Sequence, residues 1–161
     1  MGGLCMQAKS VADSRTEQVQ ILMSGQINGQ NRLFGGHLMQ WIDVVAAVVA
    51  RRHSGCEVTT ASVDNLQFRA PAFVNETITL DGRITHVGRT SMEVRVDTYV
   101  EALSGKRHKI NVAYLALVAL DAKGNPTEVP PLRLENDQER TEWEAGERRR
   151  QLRAQRRAER F

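Results

Sequence analysis

Asp43 interrupts the run Gly36-His37-Leu38-Met39-Gln40-Trp41-Ile42-Asp43-Val44-Val45-Ala46-Ala47-Val48-Val49-Ala50, which is apolar almost throughout after Met39. A helix that is apolar on all sides is a buried helix. A carboxylate inside it loses its water unless something pairs with it or uses it. Burial and neighbouring charge are also the means by which a carboxylate becomes a base. Two roles are open to Asp43 on these grounds: a structural residue tied to backbone donors or an arginine, or a catalytic group acting as general base or nucleophile. Just upstream, Asn28 sits in the polar stretch 24–32, and Phe34-Gly35-Gly36 leads into the helix. The first amides of a helix lack intrahelical partners, and the helix dipole there favours negative charge. The N–H groups near Gly35, Gly36 and His37 are therefore expected to be able to hold an oxyanion. The glycines could equally serve close packing, and His37 is expected beside the site rather than in it.

The elements that must position these groups follow from the pattern around them. A strand is expected over 16–22, the loop over 24–32, and a long helix ending near His53 at Ser54-Gly55, a stop signal. Val58, Thr60, Ser62, Asp64 and Leu66 then alternate with Thr59, Ala61, Val63, Asn65 and Gln67, which is the period of a strand. Three more β runs are expected over 76–87, 92–103 and 109–120, separated by Gly88-Arg89-Thr90-Ser91 and Ser104-Gly105-Lys106. The run 121–126 breaks the sheet, 129–132 is an extended exit, and 135–161 reads as a polar, Arg-rich helical tail. Residues 1–12 are expected to form a flexible leader, so that one domain spans 13–134. An α+β class results: an antiparallel sheet of five or more strands wrapped around one long central helix. With no second helical layer in view, the open face or edge is expected to pair with a second copy.

Composition narrows the function classes. The chain has 161 residues, 41% hydrophobic and 25% charged, a globular profile. Its longest apolar stretch is too short to span a bilayer and carries Asp43 at its centre. The N-terminus lacks the regions of a signal peptide, and Met6 stands where a myristoylation pattern beginning at Gly2 wants Ser or Thr. Two cysteines, Cys5 and Cys56, make neither a disulfide framework nor a metal-type spacing, which fits a reducing, cytoplasmic setting. No metal or cofactor is expected. The net charge of +3 owes much to the tail arginines; glutamates intersperse them and no aromatics interleave, so a solvated helix is expected rather than a nucleic-acid surface.

These residues carry a resemblance. Asn28, Phe34-Gly35-Gly36, Leu38-Met39, Trp41 and Asp43 together resemble the signature of hotdog-fold acyl-CoA thioesterases of the brain acyl-CoA hydrolase type. Val58-Thr59-Thr60-Ala61-Ser62-Val63-Asp64, Phe68 with Pro71, Val87 to Val94 and Val118-Ala119-Leu120-Asp121 continue it in order, over about residues 16–132. Two departures stand out. Gly29, Gln30 and Asn31 follow Asn28 where the family often has Asn-Pro-x-Gly, and Asn111-Val112 replaces a frequent Asn-Arg.

The resemblance implies a hotdog fold and hydrolysis of acyl-CoA to free acid and CoA without metal. It also implies a homodimer as minimal active unit, commonly assembled into a trimer of dimers. It gives catalytic roles to Asn28 and Asp43, the first orienting water or the thioester carbonyl and the second activating water. Arg89, Thr90 and Ser91, with Arg69 as a weaker candidate, are expected to meet the phosphates or pantetheine arm of CoA, since arginine with neighbouring hydroxyls suits phosphate. Thr60 and Ser62 are expected to lie near the catalytic groups across the dimer. Trp41 and Phe34 are expected as core or acyl-pocket walls. An inactive acyl-CoA-binding or regulatory module on the same scaffold is the alternative; a hotdog dehydratase and a nucleic-acid adaptor are the remaining rivals.

Overall fold

The apolar run around Asp43 forms one helix, α2 (Gly35–Ser54), in the computed structural model, which describes residues 6–161. Expectations about Gly2 and Cys5 fall outside the described residues. The helix ends where Gly55 takes a left-handed conformation (φ 69°) and donates its N–H to Arg51 O at 2.8 Å, a geometry that glycine adopts without a Cβ penalty. Arg51, Arg52 and His53 in the last turn suit the negative end of the helix dipole.

Before α2 come β1 (Lys9–Ser10), a single turn α1 (Val11–Ser14) and β2 (Thr16–Ile21). After it come β3 (Glu57–Phe68), β4 (Thr77–Val87), β5 (Ser91–Glu101), β6 (Arg107–Leu120), β7 (Leu132–Arg133) and α3 (Asp137–Glu159). The five long strands make one antiparallel sheet in the order β2-β4-β5-β6-β3. The hotdog architecture expected from the sequence is the one observed. Leu38, Ile42, Val45 and Val49 of α2 join one buried core with Ile78, Leu80, Val94 and Leu115 of the sheet. The helix presses closely on β4: a Cβ on Gly82 would lie 2.6 Å from Val45 Cγ1.

Three expectations are corrected. First, α2 is not apolar on every face in the single chain. Leu38, Trp41, Ile42, Val45, Ala46 and Val49 are buried, but Gly36, Gln40, Asp43, Val44 and Arg51 form an exposed stripe at helical spacing. Secondly, the leader is built in from Lys9 onward. β1 pairs in parallel with β7, and α1 carries a capping box in which Ser10 and Asp13 satisfy each other's amides. Thirdly, a second helical layer exists: α3 lies on the sheet face opposite α2.

Buried ion pairs dock α3. The Glu93 carboxylate of β5, whose side chain is 0% exposed, accepts hydrogen bonds from Arg149 Nη2 at 2.7 Å, Arg153 Nη1 at 3.0 Å and Thr85 Oγ1 at 2.7 Å. Arg153 also reaches Asp64 of β3 at 2.9 Å. Arg149 stacks over the Tyr114 ring, 3.8 Å from its centroid. Gly146 is buried at the contact, where a Cβ would come within 2.7 Å of His86 Cβ. A sequence reading sees a run of arginines as a solvated face because their partners stand on strands far away in the chain. Among the described residues no helix is long and apolar enough to cross a membrane.

Candidate active site

Asp43 lies on the exposed stripe of α2, not within the core. Its Oδ1 accepts a hydrogen bond of 2.6 Å from Thr60 Oγ1 of β3, which fixes the rotamer and leaves Oδ2 without a partner among the described residues. No cation pairs with it among those residues. Its surroundings are apolar yet uncovered: Val44 is 51% exposed, Phe34 51%, Phe68 57% and Val63 39%.

Thr60 and Ser62, expected on one face, are on opposite faces. The register of β3 against β6 skips from Thr60↔Leu117 to Ser62↔Ala116, so Ala61 is an extra residue in a β-bulge. One inserted residue turns every later side chain over. Thr60 thus faces Asp43, whereas Ser62 and Asp64 face α3.

Asn28 is held by its own loop. Its Oδ1 accepts from Gln30 N at 2.9 Å and Arg32 N at 3.2 Å, while its backbone N–H donates to Arg32 O at 2.8 Å. Asn31 closes the turn at φ 59°, a left-handed conformation that asparagine tolerates. The loop therefore keeps its shape without the proline of the family pattern. Two backbone donors orient the amide, so its NH2 group is the end left free to a ligand. Asn28 lines a cavity of about 360 Å³ with Arg32, Leu38, Phe68, Arg69 and Ile110.

At the start of α2, Phe34 caps the helix without a side-chain hydrogen bond. His37 N–H is engaged by Phe34 O at 3.0 Å, which removes it from the oxyanion set. The amides of Gly35 and Gly36 retain no backbone partner among the described residues. The Phe34 ring folds back over Gly36, where a Cβ would meet Phe34 Cε1 at 2.5 Å, and packs edge-on to His37 with centroids 5.8 Å apart. Trp41 is buried in the core and Phe34 lies on the rim.

The remaining candidates divide between two places. Arg69 joins Asn28 at the first cavity. Thr90, Ser91 and Ser62 line a second, of about 470 Å³, beside the tail arginines Arg150, Arg153, Arg156 and Arg157. Arg89 points to solvent, 3.9 Å from Glu128. The tail arginines are functional candidates that the sequence reading missed, although their spacing of three and four residues places them on one helix face. Among the described residues no group of three or more His, Cys, Asp or Glu could hold a metal ion.

Asp43 and the free helix amides are far apart within one chain. Eight residues of helix separate Gly35 from Asp43, roughly 12 Å along the axis at 1.5 Å per residue. A single reacting group cannot touch both in one copy, so each chain carries two parts of a site on separate ends of α2.

The thioesterase superfamily model matches residues 30–103. An uncharacterized acyl-CoA thioester hydrolase of Bacillus subtilis, YkhA, is 37% identical over 136 residues, covering 84% of this chain and 76% of its own. An acyl-CoA hydrolase from Staphylococcus aureus, solved in complex with butyryl-CoA, CoA and CoA disulfide, matches with TM-score 0.90 at 31% identity, over 94% of this chain and 93% of its own. Structures of that enzyme include the mutants Asp43→Ala, Asn28→Ala and Thr60→Ala in its own numbering. An apo-hexameric acyl-CoA thioesterase matches with TM-score 0.90 at 34% identity, over 95% of this chain and 99% of its own.

Proposed function

The chain belongs to the thioesterase superfamily as a hotdog acyl-CoA thioester hydrolase, and from that premise we propose that it cleaves acyl-CoA with water activated by Asp43. The carrying observation is the Asp43 carboxylate on an otherwise apolar, uncovered helix face, oriented by Thr60 with its second oxygen free. Asp43 Oδ2 takes a proton from water as the water oxygen attacks the thioester carbon. A tetrahedral oxyanion forms; its collapse breaks the C–S bond and releases the CoA thiolate and the carboxylic acid. The proton held by Asp43 passes to the departing sulfur or to solvent, and the carboxylate is restored.

Asn28 polarises the carbonyl. Its Oδ1 is occupied by two loop amides, so its role is donor: the free NH2 hydrogen-bonds the carbonyl oxygen, rather than accepting from water. The Gly35 and Gly36 amides add oriented donors at the positive end of α2, and one such donor contributes roughly 3 kcal/mol to transition-state binding.

The separation along α2 makes the active unit a dimer. Two α2 helices packed antiparallel about a two-fold axis bring Asp43 of one copy to the helix start and Asn28 loop of the other, forming two equal sites. The same contact covers Val44, Phe34 and Phe68 and gives Asp43 the dry surroundings it lacks in the single chain. A trimer of dimers is the assembly we propose, supported by the hexameric structure among the neighbours. We place the reaction in the cytoplasm, where the free thiol of Cys56 fits a reducing medium.

Release of thiol from a panel of acyl-CoAs tests the activity. No release at any chain length by the folded oligomer overturns it. Asp43→Asn is expected to fold and assemble while losing about 10²–10⁴-fold in turnover, the range of one general base.

A further inference from the structure

The cavity under the C-terminal half of α3 is built for phosphate. Its volume of about 470 Å³ falls within the range of small-molecule sites. Arg150, Arg153, Arg156 and Arg157 line it from α3, and Asp64 is the one carboxylate in its wall. Arg153 is spent on Asp64 and Glu93, and Arg156 stands 3.5 Å from Asp64. Arg150 has only Glu147 at 4.0 Å, and Arg157 has no ion-pair partner among the described residues. The hydroxyls of Ser62, Thr90 and Ser91 face the guanidinium groups across the cavity without a protein partner among the described residues.

The turn before Ser91 is shaped to admit this arrangement. A Cβ on Gly88 would lie 2.8 Å from Ser91 Oγ and 3.4 Å from Arg150 Nη2, so only a bare Cα lets both groups lie against it. Glu93 anchors Arg149 and Arg153 from beneath and fixes the helix that carries the free arginines. Planar guanidinium forks with hydroxyls opposite match the oxygens of a phosphate ester.

We propose that this cavity binds the phosphate esters of a nucleotide, and that the nucleotide is the CoA moiety of the substrate, an assignment that rests on the thioesterase reading above. Thr60, on Asp43, and Ser62, in the cavity, are two residues apart on β3, about 7 Å of extended chain. The bulge at Ala61 is what turns one toward the reacting end and the other toward the phosphates. α3 is therefore part of the substrate site, and Glu93 is a positioning residue for it.

Calorimetry with CoA and with pantetheine, which lacks the nucleotide, tests this without requiring turnover. In Arg150→Gln/Arg157→Gln, both sites being solvent-exposed surface positions, CoA binding is expected to weaken by roughly tenfold per guanidinium removed, with pantetheine binding unchanged. ADP is expected to compete with acyl-CoA, raising KM and leaving kcat alone. Unchanged CoA affinity in the variant overturns the site. ADP that lowers kcat without raising KM overturns the assignment to the substrate and leaves a separate free-nucleotide site. Hydrolysis with an unaltered KM in the variant defeats this inference and keeps the thioesterase. CoA binding through these arginines without hydrolysis in the parent defeats the thioesterase and keeps the phosphate site.

Discussion

The hydrogen bond from Thr60 to Asp43 predicts a graded series at the catalytic centre. Thr60→Val keeps the β-branched shape and removes the donor, so one carboxylate oxygen loses its tether. A hydrogen bond to a charged group is worth about 1.5–3 kcal/mol, and turnover is expected to fall by roughly ten- to a hundredfold with little change in stability, as read by steady-state kinetics beside a thermal melt. Asn28→Ala removes the free NH2 and also the Oδ1 that closes the loop through Gln30 and Arg32. It is expected to cost turnover by about 10²–10³-fold, the scale of one oxyanion donor. Equal activity in Asn28→Asp, which keeps the loop acceptor and loses the donor, would remove the donor role. At this scale the residue types were legible in the sequence, but their directions were not. Alternation put Thr60 and Ser62 together, and a single extra residue at Ala61 parted them. A bulge of one residue has no signature in a run of Thr, Ala and Ser that suits a strand in either register. His37 likewise stood where an oxyanion donor was expected, and the local turn to Phe34 O consumed its amide.

Among the elements, α3 has a titration of its own. Burial holds the His86 imidazole below its ordinary value, against the opposing hydrogen bond with Glu147 at 2.7 Å. The Trp143 ring covers it, and Glu93 and Arg150 are the other charges near it. A lowered folded value means that the undocked state takes up a proton first, so docking is at full strength above pH 6.5 and weakens as pH falls below it. Burial pushes the Glu93 carboxyl up, but hydrogen bonds from Arg149, Thr85 and Arg153 outweigh it and hold the group below its ordinary 4.5. Its contribution is complete above that pH and is lost as pH falls through the lower folded value. Hydrogen exchange along 137–159 is expected to quicken first between pH 7.5 and pH 5, and again in stronger acid; a rate unchanged after correction for intrinsic exchange would remove His86 from the docking. Glu93→Ala leaves two guanidinium groups buried without their partner and is expected to cost about 3 kcal/mol or more, measured by denaturant unfolding. The strands and α2 were readable from period and stop signals because each is a local pattern. The docking of α3 was not, since it depends on Glu93 and Asp64 meeting arginines that lie 56 to 92 positions further along the chain.

For the whole molecule, the exposed stripe of α2 and the unpaired edge of β3 pose one question: what covers them. β3 is a twelve-residue edge strand, long enough to invite pairing with another chain, and Val63, Val44, Phe34 and Phe68 form the apolar surface around it. The sequence pointed to a buried Asp43 because it records the helix of the assembly, whereas the single chain leaves that face open. If a second copy closes it, Asp43 and Asn28 serve one thioester from different copies, and a mixing experiment separates this from a site within one chain. Asp43→Asn and Asn28→Ala are each expected to be inactive alone. Unfolded together in equal amounts and refolded, half of the dimers contain one copy of each, and in every such dimer one of the two sites holds an intact Asn28 opposite an intact Asp43, while the other holds neither. About a quarter of the parent's active sites should therefore return if pairing is random. A site confined to one chain returns nothing, since neither copy carries both groups. Val44→Glu sharpens the result: a charge forced into the covered face is expected to leave a folded monomer in sedimentation velocity. Adding it to both mixing partners should abolish the recovered activity while Asp43, Thr60 and the Asn28 loop remain as they are in the parent.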